Sequence, residues 1–333
     1  MTVNPAIIAL LASGLMVSLM LLGGAWFAVE VLLHWDLTSG SARQLRLERR
    51  TYLVSTLLVN AFAFELGSLL LFVYMADALY PLFVGAMCAA GVLYANAWGY
   101  PALGLKAALA VLAGVWLVMN HADNRSPRYP LVRAKYALLL VIVPLALVEA
   151  GLLVAYLTNL RADVITSCCG TLFSLGGSEV DGEVSLALLG ALPVREAMYA
   201  SVVAALVVGA VVLATGRGAV LYGLVSLGAA LAGLAGVIVH VSPYVYELPT
   251  HHCPFCLIQP EYHYVGYPLY AALLGSTIAG LGAGVLGLFS RREGMAEAWA
   301  DLRPRLVLFA MVCQAAFALL SAWLVLSSNL VIQ

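Results

Sequence analysis

The sequence predicts an all-α polytopic membrane protein with about eight transmembrane helices. Hydrophobic residues make up 63% of the 333 residues and charged residues only 10%, which leaves too little polar surface to cover a soluble particle of this size. Apolar runs of about 20 residues, the length that crosses ~30 Å of hydrocarbon, recur along the chain. The runs show no period-2 alternation, so they indicate helices and not the strands of a barrel.

Each apolar run is long enough for one span and rich in Leu, Ala, Gly and Val. As helices, the runs satisfy their own backbone hydrogen bonds in lipid. No Lys or Arg precedes the first run, as a cleaved export signal would require, so we expect the first helix to stay in the protein. The whole of 1–333 is interpreted as a single integral membrane helical domain. The eight runs are 5–33, 52–76, 101–120, 136–157, 197–215, 219–241, 265–289 and 306–328.

The basic residues predict the orientation of the bundle. Thirteen of the 16 Lys and Arg residues fall in alternate gaps between the runs, as cytoplasmic loops do. The opposite gaps, 77–100, 158–196 and 242–264, are then expected outside together with both termini, on the periplasmic side of a bacterial inner membrane. The net charge of −1 and the scattered basic residues argue against nucleic-acid binding. The 13 residues are Arg43, Arg46, Arg49, Arg50, Arg125, Arg128, Arg133, Lys135, Arg217, Arg291, Arg292, Arg303 and Arg305.

A further apolar stretch near 81–98 is interpreted as a re-entrant or interfacial helical segment. A ninth span there would move the basic loop around Arg125 and Arg128 to the outer side and break the charge asymmetry. Its aromatic residues, including Tyr94 and Trp98, suit the headgroup level of a bilayer.

The outer gaps contain every cysteine except Cys313, and the densest group is the segment 251–256, His-His-Cys-Pro-Phe-Cys. The thiols of Cys253 and Cys256 are close enough in sequence to form a disulfide or to bind one metal ion. Pro254 favours a helix that begins just after Cys253 and runs for about two turns, as far as Pro260. The helix N-terminus would stabilise a Cys253 thiolate as the attacking sulfur, with Cys256 as the resolving partner.

A second thiol group, Cys168 and Cys169, lies in the gap 158–196. Adjacent cysteines more often reach two different partners than each other, and Gly170 suggests a turn that presents both sulfurs. They could serve a metal ion or the Cys253/Cys256 pair, or they could form structural disulfides between the two loops. Cys88 lies on the outer side without a neighbouring thiol, and its role stays open.

Histidines beside the thiols offer an alternative chemistry. His251, His252 and His263 complete a possible ligand set with Cys253 and Cys256 for zinc or copper, which thiolate and imidazole ligands suit. This interpretation predicts capture and delivery of a soft metal ion on the outer side.

Three ionisable residues lie inside the apolar runs: Glu65, Lys106 and Glu149. Buried charges in a membrane are costly and are therefore candidates for function. Lys106 and Glu149 have similar depths, which predicts either a structural ion pair or a proton-handling role. Glu65 has no evident cationic partner; it is either protonated or faces a polar cavity with Asn60.

Two thiol pairs on one membrane face, one of them Cys253-Pro254-Phe255-Cys256, resemble the arrangement in DsbB-type disulfide-forming proteins and vitamin K epoxide reductase. The order, Cys168/Cys169 before Cys253/Cys256, is similar to that of vitamin K epoxide reductase. The resemblance covers these motifs alone. It implies that the loop pair exchanges with a partner protein and that the membrane-proximal pair passes electrons to or from a quinone.

Three functions follow from these patterns. The first hypothesis is a membrane thiol–disulfide relay, in which Cys168/Cys169 exchange with a periplasmic redox partner and a quinone is the possible electron carrier. The second is soft-metal binding, with delivery to a periplasmic acceptor protein. The third is a structural membrane subunit of a respiratory assembly, without a site of its own.

Overall fold

The computed structural model describes residues 4–36, 41–126, 128–166 and 193–330. These residues form helices and turns without a strand, and eight of the helices are long and apolar enough to cross a membrane. The predicted polytopic helical fold is therefore confirmed. Cys168 and Cys169 lie outside the described residues.

Ten α-helices follow one another along the described chain. They are α1 (Pro5–His34), α2 (Ala42–Leu79), α3 (Ala89–Leu93), α4 (Gly99–Asp123), α5 (Val132–Thr158), α6 (Val194–Thr215), α7 (Ala219–Gly236), α8 (Ser242–Tyr246), α9 (Gly266–Phe289) and α10 (Ala296–Leu326). A π-helical turn, Val237–Val241, joins α7 and α8 into one span, Ala219–Tyr246. α2 and α10 begin well before their apolar runs, which start at 52 and 306, so the first turns of both helices are formed by polar sequence.

Local sequence explains where several helices begin and end. The side chain of Asn4 accepts a hydrogen bond from the Ala6 amide at 2.9 Å, and Pro5 occupies the first helical position, where no amide donor is needed. α6 ends at Gly216, whose φ of 72° closes the last turn in the left-handed conformation.

Residues 80–95 do not form a ninth span. This segment forms only a 3-10 turn at Tyr80–Leu82 and the five residues of α3, and both are too short to cross a bilayer. The absence of a span here agrees with the interpretation of 81–98 as a re-entrant or interfacial segment. The segment from Cys88 to Leu93 is buried within the protein.

The chain divides into two compact units, and the prediction of one domain over 1–333 stays a prediction. Unit 1 comprises Met1–Met75, Asn96–Leu160 and Val285–Pro304. In it α1 and α4 pack against α5, around a core that includes Phe62, Trp116 and Tyr136. Lys135, counted above among the cytoplasmic basic residues, is instead fully buried in this unit, where its Nζ lies 2.8 Å from a carboxylate oxygen of Asp123.

Unit 2 comprises Ala76–Ala95, Arg161–Gly284 and Arg305–Gln333. α6 and α7 pack side by side, and a buried core joins residues of α6, α9 and α10 to the loop that carries Cys253 and Cys256. The two cysteines are thus part of a hydrophobic core.

Within each unit, contacts join gaps that the charge pattern predicts to lie on the same side of the membrane. In unit 1 Arg128 pairs with Glu293 at 2.8 Å, and Arg292 donates to the Pro130 carbonyl at 3.1 Å, which brings the gaps after the third and seventh runs together. In unit 2 the Thr166 amide donates to the Val84 carbonyl at 2.9 Å. Two of the cysteine-containing gaps therefore also meet.

Glycines allow α7 and α9 to approach closely within unit 2. A Cβ atom on Gly284 would lie 3.0 Å from the Cα of Gly223 and 3.3 Å from the Ala219 carbonyl oxygen, and both neighbours are backbone atoms that cannot move aside. Gly280 and Gly284 are four residues apart, the spacing of small residues that allows such close packing of membrane helices.

Gly284→Leu is expected to lower the free energy of unfolding by about 2 kcal/mol, because the side chain overpacks this contact. Thermal unfolding in detergent measures the effect. Gly228→Leu, on the exposed face of α7 with no atom within 4 Å of its added Cβ, is the matched control. Equal stability of the two variants would contradict the close packing.

Candidate functional site

Three cysteine side chains meet in the core of unit 2, and we call Cys88, Cys253 and Cys256 the thiol site. Their sulfur atoms lie within 4.8 Å of one another, and the Sγ atoms of Cys88 and Cys253 are 3.4 Å apart. Cys88 and Cys253 are fully buried, and Cys256 is 5% exposed. Because 165 positions separate Cys88 from Cys253, only the tertiary fold brings their sulfurs together.

The segment with Cys253 and Cys256 forms turns where the sequence predicted a short α-helix, so that prediction is wrong. Pro254 and Phe255 form a turn, followed by 3-10 turns at Cys256–Ile258 and Pro260–Tyr262. An α-helix needs the amide of residue 260 to bond the Cys256 carbonyl, and proline has no amide hydrogen. The Gln259 amide bonds that carbonyl instead, at 3.0 Å, which closes the tighter turn.

Two tyrosines hold the backbone of this segment. The hydroxyl of Tyr246 donates to the Cys253 carbonyl at 2.5 Å, and the hydroxyl of Tyr270 donates to the Pro254 carbonyl at 2.6 Å. Buried carbonyls without a secondary-structure partner need such donors. The position of the Cys253 sulfur is therefore fixed from both α8 and α9.

The loop before α3 positions Cys88. Gly85 has a φ of 84°, and a Cβ atom there would lie 2.2 Å from the Thr166 carbonyl oxygen, so only glycine fits. The side-chain amide of Gln259 donates to the Met87 carbonyl at 2.8 Å and also to the carboxylate of Asp77. Gln259 thereby ties the Cys88 loop to the segment that carries Cys256.

Hydrogen bonds within the thiol site give Cys253 and Cys256 different protonation states. The hydrogen bond from Cys256, with a second from Cys88, holds the pKa of Cys253 well below its usual range although the thiol is buried. The amides of Phe255 and Cys256 also donate to the Cys253 sulfur. The same bond to Cys253 keeps the proton on Cys256 and raises its pKa. These hydrogen bonds favour the thiolate of Cys253 over that of Cys256.

One of the three candidate histidines contacts a sulfur of the thiol site. His251 Nε2 lies 3.4 Å from Cys256 Sγ, and burial lowers the pKa of this imidazole, which keeps it neutral. His263 is exposed, with a φ of 53°. Ligation of a metal by His251, His252 and His263 stays a prediction. Among the described residues, only the three cysteines have potential metal-ligating atoms that all lie within 4.8 Å of one another.

His252 is buried and held in one tautomer. Its Nδ1 lies 3.2 Å from the Ile238 carbonyl, which can only accept, so Nδ1 carries the proton. That carbonyl is available because the Ser242 amide bonds Val237 within the π-helical turn and Pro243 has no amide hydrogen. Burial lowers the pKa of His252. Among the described residues its Nε2 has no hydrogen-bond partner.

The intramembrane ionisable residues form a separate cluster in unit 1. Lys106 Nζ lies 3.0 Å from Glu149 Oε1, so the pair that their depths suggested is present. Lys106 Nζ also lies 3.4 Å from Glu65 Oε1, which corrects the expectation that Glu65 has no cationic partner. Asn60 does not share this environment, because its side chain is exposed and donates to the Thr56 carbonyl on its own helix.

Sequence reasoning missed three residues that define the thiol site. Cys88 was noted without a role, and Gln259 and Asp77, which tie its loop down, were not singled out. A carboxylate near the end of an apolar run was the available signal for Asp77. Nothing local marked Cys88, because its partners are distant in the chain.

Comparison with known protein families, with curated proteins and with solved structures found no match to this chain. The likeness to disulfide-forming membrane proteins therefore rests on the cysteine motifs alone.

Proposed function

We propose that the thiol site binds a soft metal ion, copper or zinc, and that the chain captures this ion for delivery to an acceptor protein. The observation that carries the proposal is the convergence of three buried sulfurs within 4.8 Å. Zinc–thiolate bonds of about 2.3 Å place the sulfurs of a tetrahedral site about 3.8 Å apart. Small side-chain movements would therefore bring all three sulfurs to one ion.

The protonation states support this assignment. Metals bind thiolates, and the hydrogen bonds from Cys256 and Cys88 lower the pKa of Cys253, which favours its thiolate. The neutral imidazole of His251, next to Cys256, is an available nitrogen donor for a fourth position.

Thiol–disulfide exchange is the second candidate, and the 3.4 Å contact between the Cys88 and Cys253 sulfurs favours it. Joining these two sulfurs would release two electrons and the proton or protons they still hold, and a quinone is the class of acceptor that a membrane supplies. In this version Cys256 attacks the Cys253 sulfur of the new disulfide, so that a Cys253–Cys256 disulfide forms and Cys88 leaves as a thiol. Reduced Cys168 and Cys169 then exchange with that disulfide, which returns Cys253 and Cys256 to thiols, and pass the oxidation on to a periplasmic redox protein. The roles of all five cysteines here remain predictions.

We place the thiol site near the outer, periplasmic face of a bacterial inner membrane, with both termini on that side. The excess of basic residues in the alternate gaps supports this orientation. The contacts that join Arg128 to Glu293 and Thr166 to Val84 support the same grouping of gaps. A metal-receiving periplasmic protein is then the natural partner.

Metal analysis of protein purified without oxygen separates the candidates. We expect about one copper or zinc ion per chain, with the thiol site protected from alkylation until a chelator removes the ion. Metal-free protein that gains and loses two thiols reversibly with redox potential would instead establish exchange. Metal-free protein with no redox response would leave only a structural role, as in a subunit of a respiratory assembly.

The affinity of the thiol site for metal is expected to rise with pH. Cys256 and Cys88 each donate a hydrogen bond to Cys253, and metal binding to all three sulfurs must displace both protons; the raised pKa of Cys256 opposes the loss of its proton. The association constant therefore increases by up to about tenfold per pH unit for each proton released. Cys253 and His251 contribute less to the slope, because the pKa of each is lowered. Competition with a chromophoric chelator between about pH 6 and pH 8, corrected for protonation of the chelator, measures the slope. A flat profile would contradict this assignment of the protons.

A further inference from the structure

Unit 1 contains two buried lysines whose surroundings differ in charge. Lys106 is 1% exposed and contacts two carboxylates, Glu65 and Glu149, at 3.4 and 3.0 Å. Lys135 is fully buried and contacts one carboxylate, Asp123, at 2.8 Å. We call Glu65, Lys106 and Glu149 the Lys106 cluster. With every group ionised, the Lys106 cluster carries one net negative charge, whereas the Lys135 pair is neutral.

Among the residues that the structure describes, the other polar groups around Lys106 do not supply the missing positive charge. Ser68 accepts a hydrogen bond from Lys106 at 2.9 Å and gives its own hydrogen to the Glu65 carbonyl, so it does not donate to a carboxylate. The charged groups that act on Glu149 are Lys106 and Glu65. α1 also packs against α5, but its only ionisable side chains, Glu30 and His34, lie in its last two turns.

The position of the Lys106 cluster makes a net charge costly. Lys106 is seven residues inside α4 from Gly99, which corresponds to about 10 Å along the helix axis. Glu149 is nine residues from the end of α5 at Thr158, or about 14 Å. Both are therefore within the hydrocarbon depth of their spans, where water cannot solvate an uncompensated carboxylate.

Two carboxylates that share one cation in such a place repel each other, and a proton on either of them removes both the repulsion and the net charge. We propose that the Lys106 cluster is a proton-binding site, in which one carboxyl of Glu65 or Glu149 holds a single exchangeable proton while Lys106 stays charged. The proton is taken from water and returned to water, and no other bond changes. The site is independent of the thiol site and of its proposed function.

Infrared spectroscopy of the full chain in lipid nanodiscs tests the proposal, because a protonated carboxyl group has its own carbonyl band, which shifts in D₂O. We expect this band in the wild type at neutral pH. Glu149→Gln should abolish the band, and Glu65→Gln should abolish it equally. In either variant one carboxyl and one lysine remain, so the surviving carboxyl can ionise as the partner of Lys106.

Asp123→Asn is the matched control, because Asp123 already balances Lys135 one to one and also accepts a hydrogen bond from the Leu131 amide at 2.8 Å. This variant should keep the full band. The proposal is overturned if the wild type shows no protonated carboxyl between about pH 5 and pH 9. It is also overturned if the band survives in both glutamine variants. Thermal unfolding shows whether each glutamine variant folds. If one of them does not fold, the other is sufficient for the test.

Discussion

Cys253→Ser is expected to remove the bound metal from the purified protein, to less than about one tenth of the wild-type content. Changes to groups that merely orient a ligand cost 10–100-fold in metal affinity, so the loss of a ligand costs at least that much. Hydrogen bonds from Cys256 and Cys88 also lower the pKa of Cys253, so protons compete less with a metal for this sulfur. Elemental analysis after dialysis against a weak chelator measures the loss.

Cys88→Ser separates the three-sulfur site from a simple Cys253/Cys256 pair. If the metal uses all three sulfurs, Cys88→Ser should lose metal as fully as Cys253→Ser does. Full metal content in Cys88→Ser would exclude Cys88 and the geometry on which the proposal rests. Cys313→Ser is the matched control, because this half-buried thiol of α10 is not part of the thiol site, and we expect wild-type metal content.

Lys106→Met is expected to lower the free energy of unfolding by about 3 kcal/mol at neutral pH. Removing one partner of a buried ion pair leaves uncompensated charge, which costs more than the pair contributes. The carboxyl groups that lose their cation are those of Glu65 and Glu149, each less than 10% exposed, and at least one of them is ionised. Chemical unfolding in mixed micelles measures the change.

The sign of the pH dependence gives a second test of the same variant. Acid protonates the carboxyls and removes the uncompensated charge, so the deficit of Lys106→Met should shrink as the pH falls. Arg217→Gln, an exposed change in the turn between α6 and α7, should stay within about 0.5 kcal/mol of the wild type. A Lys106→Met variant as stable as this control would show that the cluster does not hold its charges as described.

The membrane-spanning helices were predictable because the property that defines them is local. A run of about 20 apolar residues must cross the hydrocarbon as a helix whatever surrounds it, and each of the eight runs has a matching helix. Helix ends were also readable where one residue decides them, as at Asn4 and Gly216. The helix predicted after Cys253 failed because Tyr246 and Tyr270 donate to the carbonyls of Cys253 and Pro254, which would accept the first α-helical hydrogen bonds. The amides of Ile258 and Gln259 bond the carbonyls three residues back instead.

The candidate sites depended on distances that no local pattern encodes. Cysteine and histidine types around Cys253 indicated thiol or metal chemistry, but the third sulfur comes from Cys88, in a loop held by Gly85 and Gln259. Likewise, the similar depths of Lys106 and Glu149 suggested that these two residues form an ion pair. The contact between Lys106 and Glu65 depends in addition on the rotation of α2, which turns Glu65 toward α4. Composition and hydropathy thus determined by themselves that the described part of the chain has eight helices able to cross a membrane, and which residue types could react. Only tertiary packing decided which of them meet, because helix rotation and loop anchoring depend on side chains far apart in the sequence.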